Sequence, residues 1–307
     1  MDFNEKWLET IDKKGSILCA GLDPAEFKMG RGDEGLQESD NKFHWSLRYI
    51  ESVAPYCAAI KPNFQYWKGE LDSVQLREVV KYAKDLELIV IDDSKLADIG
   101  STNDAGMFFS KDLGADAVTI APYAGNMREA ADLAREHGIG AITMCLMSNP
   151  EFQREKNMLV RLNSKEEEKS YRSNDLINYG GSSLNVFVHR YISLAHDAQN
   201  FGLSGIVIGA PSFKNHIKNE EIEKIREYVD DEKLVLLPGI GKQGGEAESI
   251  WKHFGINNVI VNVGRSLMFP NGSNSSSEDH KEAAKHYKNM LNESRNEMHS
   301  KRFLMQD

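Results

Sequence analysis

The chain has 307 residues, of which 40% are hydrophobic and 27% charged, with a formal net charge of −10. No apolar run approaches the ~18–20 residues of a membrane span, and so acidic a chain lacks the clustered lysine and arginine of a nucleic-acid surface. Cys19, Cys57 and Cys145 sit in apolar runs without C-x-x-C spacing, which excludes a disulfide framework and a zinc motif and predicts reduced core thiols in a cytoplasmic protein.

The opening segment MDFNEKWLETIDKKG reads as an amphipathic helix with Trp7, Leu8 and Ile11 on one face, and it has no signal-like apolar region. Eight apolar runs follow, each short and β-rich: Ile17–Leu22, Ala58–Ile60, Leu88–Ile91, Ala117–Ile120, Ile139–Leu146, Gly205–Ile208, Leu234–Leu237 and Val259–Val263. The stretches between them carry helical periodicity, as in Leu76–Leu86 and Met127–His137, and Gly114, Gly138, Gly202 and Gly255 stand as stops. Eight such alternations predict one (β/α)8 TIM barrel over residues 1–307 rather than an open doubly wound sheet.

Two segments exceed a minimal barrel and are expected as long loops, at about 25–42 and about 149–181. The second contains the charge run Lys165–Lys169, a solvated face by its composition, and the turn-like NYGGSS. The serine-rich NGSNSSSED reads as a flexible loop, and a C-terminal helix at about 280–297, with Ala283, Ala284, Tyr287 and Leu291, is expected to close the barrel.

A barrel places its chemistry just after its strands, on the carboxyl-terminal rim. Asp23 follows the first strand, Lys61 the second, Asp93 and Lys95 the third, Ser148 the fifth, Gly209 the sixth, PGIGKQGG the seventh, and Gly264 with Arg265 the eighth. Polar residues fall at strand ends by default, so no one of these decides anything. The seventh and eighth loops together do more, because Gly239, Gly241, Gly244 and Gly245 allow backbone N–H groups close to an anion and Arg265 adds a cationic fork. That combination predicts a phosphate site.

In IDDSKLADIGST, Asp93 and Lys95 stand two apart, so on a strand their side chains point to one side; Asp98 and Thr102 follow at three residues and one further turn. A D-x-K-x-x-D string alone is more often a solvated turn with a surface ion pair. Read as a site, it gathers two carboxylates around one ammonium. Each close opposite charge favours the cation by ~1–3 pKa units, which argues against a Schiff base and suits Lys95 to protonating or stabilising a carbanion. A substrate carboxylate about 4 Å from Asp93 would be repelled by roughly 4 kcal/mol at an effective dielectric of 20. Its loss as carbon dioxide relieves that repulsion.

The strings CAGLDP, AIKPNF, DDSKLADIGST, MCLMSNP, PGIGKQGG and NVGRS resemble those of the orotidine 5′-phosphate decarboxylase family from residue 19 to 266. The resemblance implies a cofactor-free, metal-free carboxy-lyase that converts orotidine 5′-monophosphate to UMP and carbon dioxide in de novo pyrimidine synthesis, acting as a homodimer with shared active sites. It implies that Asp93 and Lys95 are the carboxylate and ammonium at the reacting carbon, and that Lys61 belongs to the same charge network and touches the ribose. It also implies that Asp98 and Thr102 serve the partner's site, Asp23 the ribose hydroxyls, Ser148 the pyrimidine, and Gln243, Gly264 and Arg265 the phosphate. The segments after strands one and five depart from the compact family pattern. Two alternatives stand beside this reading: a Mg2+-dependent sugar-phosphate decarboxylase or aldolase of the same superfamily, which the Lys61 cation opposes, and a catalytically silent nucleotide-binding barrel.

Overall fold

The computed structural model describes residues 1–179, 185–241 and 244–304. Eight parallel strands close into a barrel: β1 (Leu18–Leu22), β2 (Ala59–Pro62), β3 (Ile89–Leu96), β4 (Ala117–Ile120), β5 (Gly140–Leu146), β9 (Gly205–Ile208), β10 (Leu234–Pro238) and β11 (Val259–Val263). Each predicted run becomes a strand. Their side chains are almost all buried on both faces, because helices cover the outside of the sheet and side chains fill the interior. The ring is sealed by β1 pairing with both β2 and β11.

The first helix, Phe3–Lys14, begins at a capping box between Asp2 and Glu5 and ends at Gly15 in the left-handed region. Its buried stripe is Phe3, Trp7 and Ile11, spaced i, i+4, i+8, whereas Leu8 lies about a quarter-turn away and is exposed, contrary to expectation. Trp7 Nε1 donates to the Asn257 carbonyl at 2.8 Å, and Asn4 Nδ2 donates to those of Ser204 and Glu232. Those three carbonyls precede β11, β9 and β10, so this helix covers the amino-terminal mouth. Burial of its three apolar side chains stabilises that closure by about 1.5–3 kcal/mol each, and it leaves the opposite mouth open.

The segment after β5 is not a loop. It holds two short helices, Phe152–Lys156 and Lys165–Lys169, and a three-stranded antiparallel sheet of β6 (Leu159–Arg161), β7 (Ile177–Asn178) and β8 (Val186–His189), ordered β6-β8-β7. The β-branched pair Val186 and Val188 faces inward, and β8 runs directly into the helix Arg190–Asn200. The run Lys165–Lys169 buries no side chain, as a solvated face should. NYGGSS lies mainly outside the described residues, of which Asn178 and Tyr179 are the last before the interval.

The serine-rich stretch is structured too. Ser276 and Asp279 exchange backbone-to-side-chain hydrogen bonds at 2.7 and 3.2 Å, which caps the last helix, Ser277–Leu304. That helix starts earlier and runs longer than the expected 280–297. It buries His280, Ala284 and Leu291, and the His280 ring meets Trp45 and Tyr49 edge-on at 5.6 and 5.2 Å, on the helix Lys42–Val53. All three cysteines are buried and unpaired.

Candidate active site

At the open mouth the third strand is irregular. Asp92 pairs with Val118 and Leu96 with Ile120, so β3 uses two more residues than β4 over the same stretch. The excess is taken up at Lys95, whose φ of +54° is in the left-handed region that a residue with a Cβ adopts at a cost of roughly 1–2 kcal/mol. Thr119 of β4 holds the distortion: its Oγ1 accepts from the Lys95 backbone N–H at 3.0 Å and donates to Asp93 Oδ1 at 3.1 Å. The bulge therefore brings two side chains of one strand onto one point.

That point is the Asp93 carboxylate. Lys61 Nζ, from β2, contacts Oδ2, and Lys95 Nζ lies 2.7 Å from Oδ1. Burial alone would push the Asp93 carboxyl up, but Lys61 and Lys95 together hold it well below the usual carboxylate range. Burial likewise works against the Lys61 ammonium, yet Asp93 and Asp23 outweigh it and the net shift is upward. The result is a buried cation–anion–cation row whose outer member, Lys95, remains open to the mouth, with 42% of its side chain exposed.

Asp92 points the other way, as alternation along a strand requires. It is fully buried, and Ser94 Oγ and Ser110 Oγ each donate to it at 2.5 Å. Burial pushes its carboxyl up to about 6 against those two hydrogen bonds. Two adjacent carboxyls of the sequence thus have opposite electrostatics, one held ionised by lysines and one held back by burial.

Asp23, after β1, extends the row toward a cavity of about 280 Å³. Burial pushes its carboxyl up, partly offset by Lys61, and its Oδ1 is buried without a hydrogen-bond partner among the described residues. Asn262 of β11 lines the same cavity with an equally unpartnered Oδ1, so two acceptors await donors there. Pro238, Gly239, Ile240, Gly264 and Arg265 line its far end. A Cβ at Gly264 would meet nothing within 4 Å, so the backbone there leaves room for a ligand, whereas at Gly241, with φ +97°, a Cβ would come within 2.6 Å of Ser266 Oγ. Arg265 opens a short helical turn and is about half exposed. Its chemistry and the glycine-rich turn suit an anion.

The structure thus brings together Asp23, Lys61, Asp93, Lys95, Gly264 and Arg265 along one mouth. Ser148 stands half-buried at the same rim beyond β5, where a Cβ on Gly209 would come within 2.7 Å of its own Cβ. Gln243 lies outside the described residues. Asp98 and Thr102 are exposed, and Asp98 does not flank Lys95 as the sequence reading expects. After the bulge the chain turns outward, the Asp98 carbonyl accepts from Asn126 Nδ2 at 2.9 Å, and its carboxylate accepts from the next backbone N–H at 2.9 Å. Among the described residues of one chain, Asp93 is the carboxylate that pairs with Lys95.

A family model for the orotidine 5′-phosphate decarboxylase / HUMPS family matches residues 16–287, nearly the whole barrel. The chain belongs to this family. Among its relatives, the orotidine 5′-phosphate decarboxylase of Phocaeicola vulgatus is 30% identical over 274 residues, 86% of this chain and 89% of that one. That of Cupriavidus metallidurans is 31% identical over 257 residues, 82% of each chain. The solved Leishmania donovani OMP decarboxylase superposes with a TM-score of 0.69 at 21% identity, covering 96% of this chain and 99% of that one, and so shares the fold. Both of these relatives carry the decarboxylase name.

Three site residues escaped sequence reasoning. Thr119 is a lone hydroxyl in the short run AVTI, a hint only once β4 is known to neighbour β3. Asn262 similarly interrupts VIVNV with one amide. Asp92 is adjacent to the residue that was singled out, and only the direction of its side chain separates their roles.

Proposed function

We propose that this chain decarboxylates orotidine 5′-monophosphate to UMP and carbon dioxide, with no cofactor. The observation that carries this is the buried row of Lys61, Asp93 and Lys95 beside an anion-suited cavity. With the phosphate at Gly264, Arg265 and Gln243, the ribose hydroxyls at Asp23 and the pyrimidine at Ser148, the substrate carboxylate comes to rest against Asp93. Asp93 is kept ionised by its lysines and cannot relieve the clash by taking a proton. The bond from ring carbon to carboxylate breaks, its electron pair stays on the ring carbon, and carbon dioxide departs. Lys95 Nζ then supplies the proton that makes the new C–H bond and recovers one from water. Its charge acts where negative charge develops, which is the term that accelerates rather than merely binds.

The assay is loss of ultraviolet absorbance from orotidine 5′-monophosphate, run on purified protein with excess chelator. Turnover unchanged by the chelator is expected; tight UMP binding without turnover would overturn the reading.

The reading includes a two-fold homodimer in which Asp98 and Thr102 complete the neighbour's site. It is supported by their exposure outside their own barrel and by the apolar side chains around them: Ile99, Phe108 and Phe109 are 57%, 52% and 60% exposed. Mixing inactive Asp98→Ala and Lys61→Ala chains should restore activity, since each heterodimer then holds one site with neither lesion. Random reassortment gives recovery of roughly a quarter of wild-type sites. If exchange occurs and the mixture stays inactive, Asp98 acts within its own chain or not at all. Buried, unpaired thiols accord with a reducing cytoplasm, and the net charge of −10 gives no support to a nucleic-acid partner. Among the described residues no helix is long and apolar enough to cross a membrane.

A further inference from the structure

The segment after β1, expected as a plain loop, forms a strap across the phosphate end of the cavity. Two short 3-10 turns, Phe27–Met29 and Gly32–Glu34, make up its middle. Its ends are tied down. Leu36 is buried and its N–H donates to the Ala25 carbonyl at 2.8 Å, while Gln37 Nε2 donates to Asn274 Oδ1 at 2.7 Å and to the Ser273 carbonyl at 3.1 Å. Beyond it, buried Lys42 joins Glu26 at 3.0 Å to Asp72 at 2.6 Å. Between these anchors, Gly30 and Gly32 have positive φ and no neighbour within 4 Å of a built Cβ. The strap is fixed at its ends, and Asp33 rests on the turn Gly272–Asn274, so the part that can move into or out of the cavity is the Glu34 side chain rather than the backbone.

The middle carries a carboxylate into the anion site. Glu34 Oε2 accepts from Arg265 Nη1 at 2.7 Å, and both residues line the 280 Å³ cavity. The contact uses one nitrogen and one oxygen, not the two parallel bonds of a fork-to-fork pair, and both side chains are open to solvent by a third or more. A phosphate seated on Arg265 would face this anion at hydrogen-bonding range. Arg31 lines the same cavity three residues earlier, and in a 3-10 turn side chains at i and i+3 lie one above the other.

We propose that Glu34 is an internal competitor for Arg265, which the ligand's phosphate displaces toward Arg31, so that Glu34 sets how much the phosphate contributes to holding substrate and product. This rests on the reading of Arg265 as the phosphate grip. In the empty enzyme the carboxylate keeps the guanidinium extended into the cavity. On binding, part of the phosphate's attraction is spent on moving it. The strap thereby weakens retention of UMP, the product that keeps the phosphate after carbon dioxide has left.

Calorimetric affinities for UMP and uridine test this in wild type, Glu34→Gln, Arg265→Ala and the double variant. Removing an exposed competing ion pair should tighten UMP binding about two- to five-fold and leave uridine unchanged. In the Arg265→Ala background the same substitution should give a clearly smaller gain, and an undiminished gain there would refute the competition for Arg265. Glu34→Ala, which does not preserve shape, should also tighten UMP. Arg31→Ala should weaken UMP binding when Glu34 is present and not in Glu34→Gln; an equal loss in both would refute the transfer to Arg31. If Arg265→Ala weakens UMP binding but Glu34→Gln leaves it unchanged or weaker, Glu34 merely orients the arginine and the proposal is wrong. If Arg265→Ala leaves UMP binding intact, it is the phosphate-grip reading that fails.

Discussion

The two ends of the open mouth are built by opposite means. At the charged centre, Asp93 is buried, each oxygen is taken by an ammonium, and the strand that presents it is distorted and held by Thr119. At the phosphate end, Arg265 is half exposed, hydrogen-bonded through one nitrogen to Glu34 of the strap, and set beside the open backbone of Gly264. The first region resists rearrangement, because moving any member would leave a buried charge unpaired. The second is made to exchange one anion for another. This division matches the chemistry: charge that must be in place before the transition state is preorganised, whereas a remote anion handle supplies binding energy and must also let go.

Replacing Lys95 gives the largest break. Lys95→Ala should lower kcat by several orders of magnitude while UMP affinity stays within a few-fold of wild type, because the ammonium acts on charge absent from the product. A loss in kcat below tenfold would remove Lys95 from the chemistry. Next comes Arg265→Ala, which should lower kcat/KM by an amount equivalent to about 2–4 kcal/mol, mostly through KM, since it removes a charge-assisted contact present in ground and transition states alike. Steady-state kinetics that put the loss mainly in kcat would contradict the assignment of that end to binding.

A smaller effect concerns stability and separates the regions in another way. Asp92 titrates at about 6 in the fold against an ordinary value of 3.8, so between those pH values the folded state holds the extra proton. Its protonated form therefore favours the fold at low pH, and that contribution is lost as pH rises through 6. Asp92→Asn, neutral throughout, should be more stable than wild type by about 2–3 kcal/mol at pH 8 and indistinguishable below pH about 4. Urea midpoints across that range decide it, and a constant difference would mean that Asp92 does not titrate there. Glu34→Gln at the exposed end should stay within about 0.5 kcal/mol at every pH.

The barrel was legible because its strands are short apolar runs separated by periodic helices, and burial on both faces leaves that pattern little choice. The placement of Asp93, Lys95, Lys61 and Arg265 on one rim was legible for a related reason: each stands at the end of a strand or just after it. What strand spacing could not carry was direction after an irregularity. The i, i+2 rule put Asp93 and Lys95 on one side, correctly, but the bulge at Lys95 turns the chain so that Asp98 leaves the centre. Contacts between distant segments were equally hidden: Thr119 to Lys95, and Glu34 to Arg265 across most of the chain. The sheet β6-β8-β7 was missed because its strands are short, and the charge run between them reads as solvent-facing, which it is.

The division between a preorganised centre and a displaceable anchor is tested most directly by measuring kcat/KM for orotidine 5′-monophosphate and for orotidine, which lacks the phosphate, in wild type, Lys95→Ala and Arg265→Ala. The loss from Arg265→Ala should largely vanish on orotidine, while the loss from Lys95→Ala should persist at full size on both. Equal losses from Arg265→Ala on the two substrates, or a Lys95→Ala loss that disappears with the phosphate, would contradict it.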